Sequence, residues 1–239
     1  MSESTDDKLM GNFRKLIDRC AADPNYKPTN PLYSISALEA QYAAGIAAMQ
    51  DIDVKLAPYK ASVNERKIAY DQIPKLYRRS RNNLKASGAS QELLDDAETL
   101  IRKITGKRKD PKLRDDPSTP ENEASTQHSA AQLSYESILG NVRAYNEMVK
   151  NEPLYVPNEV DLKTISLEDV ADDLEAKNNA VSSSFPPASQ ARTLRDGLLY
   201  NNQNNIINAA LRVKDYTKAM ADDTLFKSIK GLKFPRQQK

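Results

Sequence analysis

Apolar side chains recur along the chain at the spacing of α-helices, and no stretch alternates as a β-strand does. At 100° per residue, Ile73, Leu76, Tyr77 and Leu84 lie within an arc of roughly 100°. A second stripe occupies an arc of roughly 120° and predicts one long helix near the end of the chain. Its members are Leu194, Leu198, Ile206, Ala209, Val213, Tyr216 and Met220. The pattern predicts an all-α protein.

One phrase of this pattern occurs twice. MGNFRKLIDRCAADPNYKP (10–28) and LGNVRAYNEMVKNEPLYVP (139–157) align without a gap at an offset of 129 residues. Roughly one identity is expected by chance over such a length. The six identities are Gly11/Gly140, Asn12/Asn141, Arg14/Arg143, Pro24/Pro153, Tyr26/Tyr155 and Pro28/Pro157.

The repeated phrase predicts the end of a helix followed by an elbow that leads into the next helix. Proline restricts its own backbone and that of the preceding residue, so each Pro-x-Tyr-x-Pro is expected to hold the chain extended while the tyrosine fills the core. The elbow residues are Pro24, Tyr26 and Pro28 in the first copy, and Pro153, Tyr155 and Pro157 in the second. The two shared glycines either allow close helix packing or are tolerated at about 1 kcal/mol each.

The similarity continues beyond the elbows. Ser36 and Ser166 are expected to cap the next helices, since each hydroxyl precedes an acidic, helix-forming run. Prolines are expected to end those helices, at Pro58 and at Pro186–Pro187. TLIRKITGK (99–107) and TLFKSIKGL (224–232) predict short terminal helices, each with a left-handed glycine cap.

These signals predict two tandem diverged three-helix units, which cover residues 1–109 and 128–239 and pack as a helical bundle. Residues 110–127 contain prolines, many charges and almost no apolar side chains, which predicts a flexible charged linker. The units are expected to pack either with pseudo-twofold symmetry or end to end.

Composition limits the environment of the protein. Apolar residues make up 39% of the 239 residues, the mean hydropathy is −0.70, and no apolar run is long enough to insert into a membrane. The polar first residues do not resemble a secretory signal. The single cysteine, Cys20, has no partner for an internal disulfide. A cytoplasmic location is expected.

Charge provides one candidate binding surface. Residues 1–109 carry 19 Lys and Arg against 14 Asp and Glu. On a helix, the cations of KLYRRSRNNLK (75–85) lie opposite the apolar stripe, where they either track a phosphate backbone or form an ordinary solvated face. The candidate anion-binding residues are Lys75, Arg78, Arg79, Arg81 and Lys85.

No combination of residues predicts catalysis, a cofactor or a metal site. His128 is the only histidine and Cys20 lies 108 positions before it, so metal ligation and nucleophilic chemistry both lack partners. Asp95–Asp96 and Asp172–Asp173 are adjacent pairs, which diverge by 100° on a helix. The amide-rich stretch YNNQNNIIN (200–208) is expected within a helix, either bonded across a helix interface or exposed.

The second copy resembles a group of uncharacterised helical proteins from Bacteroidetes. The resemblance rests on Tyr155-x-Pro157-Asn158-Glu159, Arg192-x-x-Arg195-x-x-Leu198-Leu199-Tyr200, Val213-Lys214-x-Tyr216 and Ile229-x-Gly231-Leu232-x-Phe234. It implies the same duplicated helical architecture and transfers no function or site.

Together these features favour a non-enzymatic structural or protein-interaction module, which binds another protein or a second copy of itself. The alternative is an accessory protein that binds nucleic acid or an anionic surface through the basic face of its first half. An enzyme with a site between the two halves is the least favoured hypothesis.

Overall fold

A computed structural model describes residues 5–106 and 134–234 of the chain. Helices account for most of these residues and no strand occurs among them, which confirms the all-α prediction. None of the described helices is both long and apolar enough to cross a membrane. The predicted linker (110–127) and His128 lie outside the described residues.

Seven α-helices follow one another in these two ranges. They are α1 (Thr5–Ala21), α2 (Ile35–Ala86), α3 (Gln91–Thr105), α4 (Tyr135–Lys150), α5 (Thr164–Asp196), α6 (Ile206–Ala219) and α7 (Thr224–Ile229). A 3₁₀ turn precedes α2 at Pro31–Tyr33 and another precedes α5 at Val160–Leu162, while a π-helical turn, Gly197–Asn201, follows α5.

The chain forms two compact units that do not coincide with the predicted ones. The first compact unit comprises residues 1–59 and 184–239, and the second comprises residues 60–183. The divisions fall inside α2 and inside α5. Helix α2 supplies buried side chains to two separate cores, with Leu38 in the first and Tyr77 in the second, whereas α5 supplies buried side chains such as Leu174 to the second.

The core of the first compact unit is built on α1, whose apolar positions recur every three or four residues. Leu9, Phe13, Leu16 and Ile17 are fully buried along one face of this helix. They belong to one apolar cluster with side chains from the start of α2, from α6 and from α7, including Leu38, Ile206, Val213, Leu225 and Ile229. Packing of this face stabilises α1 far more than helix propensity does.

Tyrosines dominate the core of the second compact unit. The rings of Tyr77 and Tyr145 meet edge to face at 5.2 Å, and both side chains are fully buried. The Tyr77 hydroxyl donates to Asn146 Oδ1 at 2.8 Å, while Asn146 Nδ2 donates to the Leu167 carbonyl at 2.7 Å. These bonds pair the polar atoms that the tyrosines bring into the core, where an unpaired group costs about 1–3 kcal/mol.

The two elbows have the same backbone pattern. Six main-chain hydrogen bonds between Asp18 and Leu38 recur 129 residues later, between Glu147 and Leu167. Tyr26 and Tyr155 are both buried, as predicted, and each hydroxyl donates to a carbonyl seven residues further on, at 2.7 Å and 2.8 Å. Each tyrosine thus ties its elbow to the 3₁₀ turn that starts the next helix.

The predicted caps at Ser36 and Ser166 are wrong by two or three positions. Helix α2 begins at Ile35 and its first turn is capped by Ser34, whose Oγ accepts from the Ala37 amide at 3.3 Å. Helix α5 begins at Thr164, and Ser166 Oγ donates back to the Val160 carbonyl at 2.7 Å. In both places one extended residue, Ser34 or Lys163, separates the 3₁₀ turn from the helix, and the helix begins directly after it.

The predicted helix ends at Pro58 and at Pro186–Pro187 are also wrong. Helix α2 continues through Pro58 and Pro74, and α5 continues through Pro186 and Pro187. A proline inside a helix removes a hydrogen bond and crowds the preceding turn, at about 3 kcal/mol. Buried side chains flank these sites, with Ile52 before Pro58 and Val181 and Ala188 on either side of the pair, so packing outweighs the local preference.

The predicted last long helix is interrupted. The chain leaves the helix after the π-helical turn and re-enters it at Ile206, because Asn205 caps α6 by accepting from the Asn208 amide at 2.7 Å. Of the two predicted glycine caps, one forms and the other does not. Gly106 adopts the predicted left-handed conformation with φ 68°, whereas Gly231 does not have a positive φ.

Candidate protein-interaction groove

An open groove lies on the second compact unit between the later part of α2 and the first part of α5. Its volume is about 860 Å³. The apolar lining consists of Ile68, Ala69, Ile73, Leu76, Val170 and Leu174. We call this feature the acidic groove, for the charges described next.

Both helices present apolar side chains of different exposure to the acidic groove. Ile73 and Leu174 are buried at the base of the helices, while Leu76 and Val170 are half-buried beside them. Ile68 stands one turn away and is 62% exposed. Contiguous exposed apolar patches with a polar rim mark interaction sites and ligand-binding grooves.

Carboxylates outnumber cations around these apolar residues. Four aspartates line the acidic groove, Asp71, Asp161, Asp169 and Asp173, against Lys75 and Arg79. Arg79 binds Asp161 through both guanidinium nitrogens, at 2.5 Å and 3.3 Å. The Arg79–Asp161 pair leaves Lys75 as the one other cation beside Asp71, Asp169 and Asp173 in the groove lining. None of these three aspartates forms an ion pair among the described residues.

The five predicted anion-binding residues do not form a continuous basic surface. Arg79 is paired with Asp161, and Arg81 with Glu98 of α3. Lys85 lines a shallow cleft together with Asp95 and Glu98.

The other two predicted residues, Lys75 and Arg78, are exposed, and Lys75 faces the carboxylates of the acidic groove. The structure therefore places acidic partners beside four of the five cations. Anion binding by this surface stays a prediction.

The remaining candidate groups have structural surroundings. Cys20 is fully buried in the first core, as expected for a small apolar side chain. Burial, with a smaller contribution from the Asp23 carboxylate, raises the pKa of the Cys20 thiol from 9.0 to about 12. The adjacent acids of Asp95–Asp96 and Asp172–Asp173 are exposed. Within the described ranges, no three His, Cys, Asp or Glu side chains are grouped as metal ligands.

Sequence reasoning missed the aspartates that α5 and its preceding turn contribute to the acidic groove. They lie about 90 to 100 residues further along the chain than the groove residues of α2, outside the predicted first unit (1–109). A local signal was present, because Asp169 and Asp173 are four residues apart and each directly precedes an apolar residue, Val170 or Leu174. That spacing places two carboxylates beside two apolar groups on one helix face.

No protein-family model matches the chain, and no curated protein or solved structure shows significant similarity to it.

Proposed function

We propose that the protein is a non-enzymatic protein-interaction module, and that the acidic groove binds a basic amphipathic helix of a partner protein. The observation that carries the proposal is the combination of an exposed Ile68 above an apolar floor with three aspartates opposed by one lysine. Grooves of this kind accept helices that place apolar anchors at i, i+3 or i+4 and i+7. Cations on the flanks of such a helix would face Asp71, Asp169 and Asp173.

The test uses two synthetic helical peptides with the same leucine stripe, one flanked by lysines and one by glutamates. Fluorescence anisotropy should show saturable binding of the lysine peptide, weakened at higher salt because the charges are exposed. The double variant Asp169→Lys/Asp173→Lys should weaken this binding at least about tenfold, which corresponds to about 1.4 kcal/mol.

The matched control is Glu39→Lys/Asp53→Lys, which makes the same change in net charge at two exposed positions of the first compact unit. It should leave the affinity within about twofold of that of the unmodified protein, or less than about 0.5 kcal/mol. Equal binding of the two peptides, or equal losses in the two double variants, would reject the acidic groove as the binding site.

We also propose that the chain arose by internal duplication, with copies that begin at α1 and α4. The support is the repeated phrase and the six elbow hydrogen bonds that recur at the same offset of 129. Replacing residues 22–34 by a copy of residues 151–163 should then preserve the fold, with a stability loss of less than about 2 kcal/mol. A Gly-Ser segment of the same length is the control, and a loss equal to that of the control would contradict the common origin of the elbows.

A further inference from the structure

A second concave site lies on the first compact unit, beside the 3₁₀ turn Pro31–Tyr33 and the start of α6. It has a volume of about 300 Å³, the lower end of the range for small-molecule sites. Four carboxamide side chains line it, those of Gln41, Gln203, Asn204 and Asn208. We call this site the amide pocket.

The asparagine-rich stretch of the sequence has two separate uses here. Asn205 is buried and caps α6, and Asn202 lies against Gly197, where a Cβ would stand 3.0 Å from the Asn202 side chain. These two residues shape the turn. Three of the other four amides, Gln203, Asn204 and Asn208, line the amide pocket.

The turn that presents these amides follows directly on the π-helical turn Gly197–Asn201. Such π-helical turns are rare and are found frequently at functional sites. The irregular backbone between α5 and α6 and the first turn of α6 place these three carboxamides around one concave surface.

Gln41 has an unmet hydrogen-bonding requirement. Its Oε1 is shielded from solvent and has no hydrogen-bond partner among the described residues. A shielded, unpaired acceptor costs about 1–3 kcal/mol. Gln41 also lines the amide pocket, and a ligand hydroxyl that donates to this oxygen would meet the requirement.

The charges of the amide pocket balance. Arg212 and Asp215 line it together, with 4.0 Å between the guanidinium and the carboxylate. No further charged side chain among the described residues lines it, so it does not select an anion or a cation. A carboxamide both donates and accepts hydrogen bonds, as a hydroxyl does.

The apolar part of the lining consists of Leu32, Ala209 and Leu211, with the ring of Tyr33 beside them. Leu32 and Leu211 are 43% and 37% exposed. A sugar ring presents C–H groups on its faces and hydroxyls on its edge, which matches this division between apolar and amide groups. We propose that the amide pocket binds a neutral polyhydroxylated small molecule of about one sugar ring.

The experiment measures amide chemical-shift changes of the isotopically labelled full chain during titration with glucose, galactose and N-acetylglucosamine. Weak affinity is expected, so concentrations reach about 20 mM, well above a Kd of about 1 mM. At least one neutral sugar should cause saturable shifts at Gln203, Asn204 and Asn208. Glucose 6-phosphate should bind no more tightly than glucose, since the pocket charges cancel.

Two variants and one control locate the binding. Gln41→Leu and Asn204→Ala should each weaken binding of the responding sugar, Gln41→Leu at least about tenfold. Asn204 is exposed, so its replacement leaves the fold unchanged even if Gln41→Leu proves unstable. Gln50→Leu changes an exposed residue of the same helix outside the pocket and should leave the affinity unchanged.

Three outcomes would overturn the proposal. They are the absence of saturable shifts with every neutral sugar, tighter binding of the sugar phosphate, and an unchanged affinity in both pocket variants. The result is independent of the acidic groove, because no groove residue lines the amide pocket.

Discussion

The hydroxyl of Tyr155 lies 2.8 Å from the carbonyl oxygen of Leu162, and the hydroxyl of Tyr26 lies 2.7 Å from the carbonyl oxygen of Tyr33, the equivalent position in the first elbow. In both elbows the tyrosine therefore acts through its ring and its hydroxyl together. The ring fills the core, while the hydroxyl satisfies a carbonyl of the 3₁₀ turn. Tyr155 has a second partner, the Ser80 hydroxyl at 2.6 Å.

Removal of these hydroxyls should destabilise the fold without emptying the core. We expect Tyr155→Phe to lower the free energy of unfolding by about 1–3 kcal/mol, because it leaves the Leu162 carbonyl and Ser80 with fewer partners in a buried site. Tyr26→Phe should cost about 1 kcal/mol, since its hydroxyl makes one such bond. Urea denaturation measures both values.

The control for this pair is Tyr42→Phe. Tyr42 is half-buried, and its hydroxyl has no hydrogen bond among the described residues. Its loss should change stability by less than about 0.5 kcal/mol. A loss of stability in Tyr42→Phe as large as in Tyr155→Phe would show that the hydrogen bonds of the elbow tyrosines do not account for the loss.

The glycines of the repeated phrase should be replaceable with a gain in stability. A Cβ at Gly11 or Gly140 meets no atom within 4 Å, and both glycines lie inside helices. Alanine is favoured over glycine in a helix interior by about 1 kcal/mol. We therefore expect Gly11→Ala and Gly140→Ala each to raise the free energy of unfolding by about 0.5–1 kcal/mol.

Gly45 is the matched comparison. A Cβ there would stand 2.8 Å from Met10 Cε and 2.9 Å from Ile206 Cδ1, so both side chains must move. Gly45→Ala should gain less than the other two substitutions, or lose stability. If thermal unfolding ranks Gly45→Ala as the most stabilising of the three, close packing at Gly45 is not a constraint.

Gly11 and Gly140 illustrate what the sequence alone does not decide. Two interpretations of Gly11 and Gly140 were open, and only the surrounding atoms distinguish tolerance from close packing. The buried stripe through Ile73, Tyr77 and Leu84 was predicted correctly because helical periodicity is a local property.

The sequence-based predictions of helix ends were wrong where tertiary packing outweighed the local preference of a residue. Proline generally kinks or breaks a helix, but buried neighbours keep α2 and α5 helical through Pro58 and Pro186. The acidic groove was missed for the same reason. It requires the later part of α2 to lie beside the first part of α5, and no short motif in the sequence indicates that pairing.

The basic surface predicted from the sequence should not bind nucleic acid strongly. Arg79 and Arg81 are paired with carboxylates, and Lys75 faces the acidic groove. We expect no salt-dependent retention of the unmodified protein on immobilised double-stranded DNA or RNA at about 50 mM salt, where phosphate contacts are strong.

The triple variant Lys75→Ala/Arg78→Ala/Arg79→Ala is the control for that assay. The one ion pair it removes, Arg79–Asp161, is about half exposed, so the stability loss should be at most about 1 kcal/mol. Retention of the unmodified protein that disappears in this variant would instead favour the nucleic-acid alternative.

Alkaline pH should expose the role of Cys20. The thiol has a pKa near 9.0 when unfolded and about 12 when buried beside Asp23, so the unfolded chain loses its proton first as the pH rises. The thiol's contribution to stability is therefore complete below pH 9 and declines between pH 9 and 12. The decline is up to about 1.4 kcal/mol per pH unit.

The difference between Cys20→Ala and the unmodified protein between pH 8.5 and pH 10 isolates the thiol, because burial also raises the pKa of the core tyrosines Tyr26, Tyr77 and Tyr145 above 10.0 and their contribution to stability declines equally in both proteins. Cys20→Ala should be less stable than the unmodified protein at neutral pH, because it leaves a small cavity, yet its stability should fall less steeply over this interval.

An aromatic disulfide reagent should modify Cys20 slowly in the native protein and rapidly in urea. Parallel stability curves for the two proteins, or rapid native modification, would show that Cys20 is not held in the core as a neutral thiol.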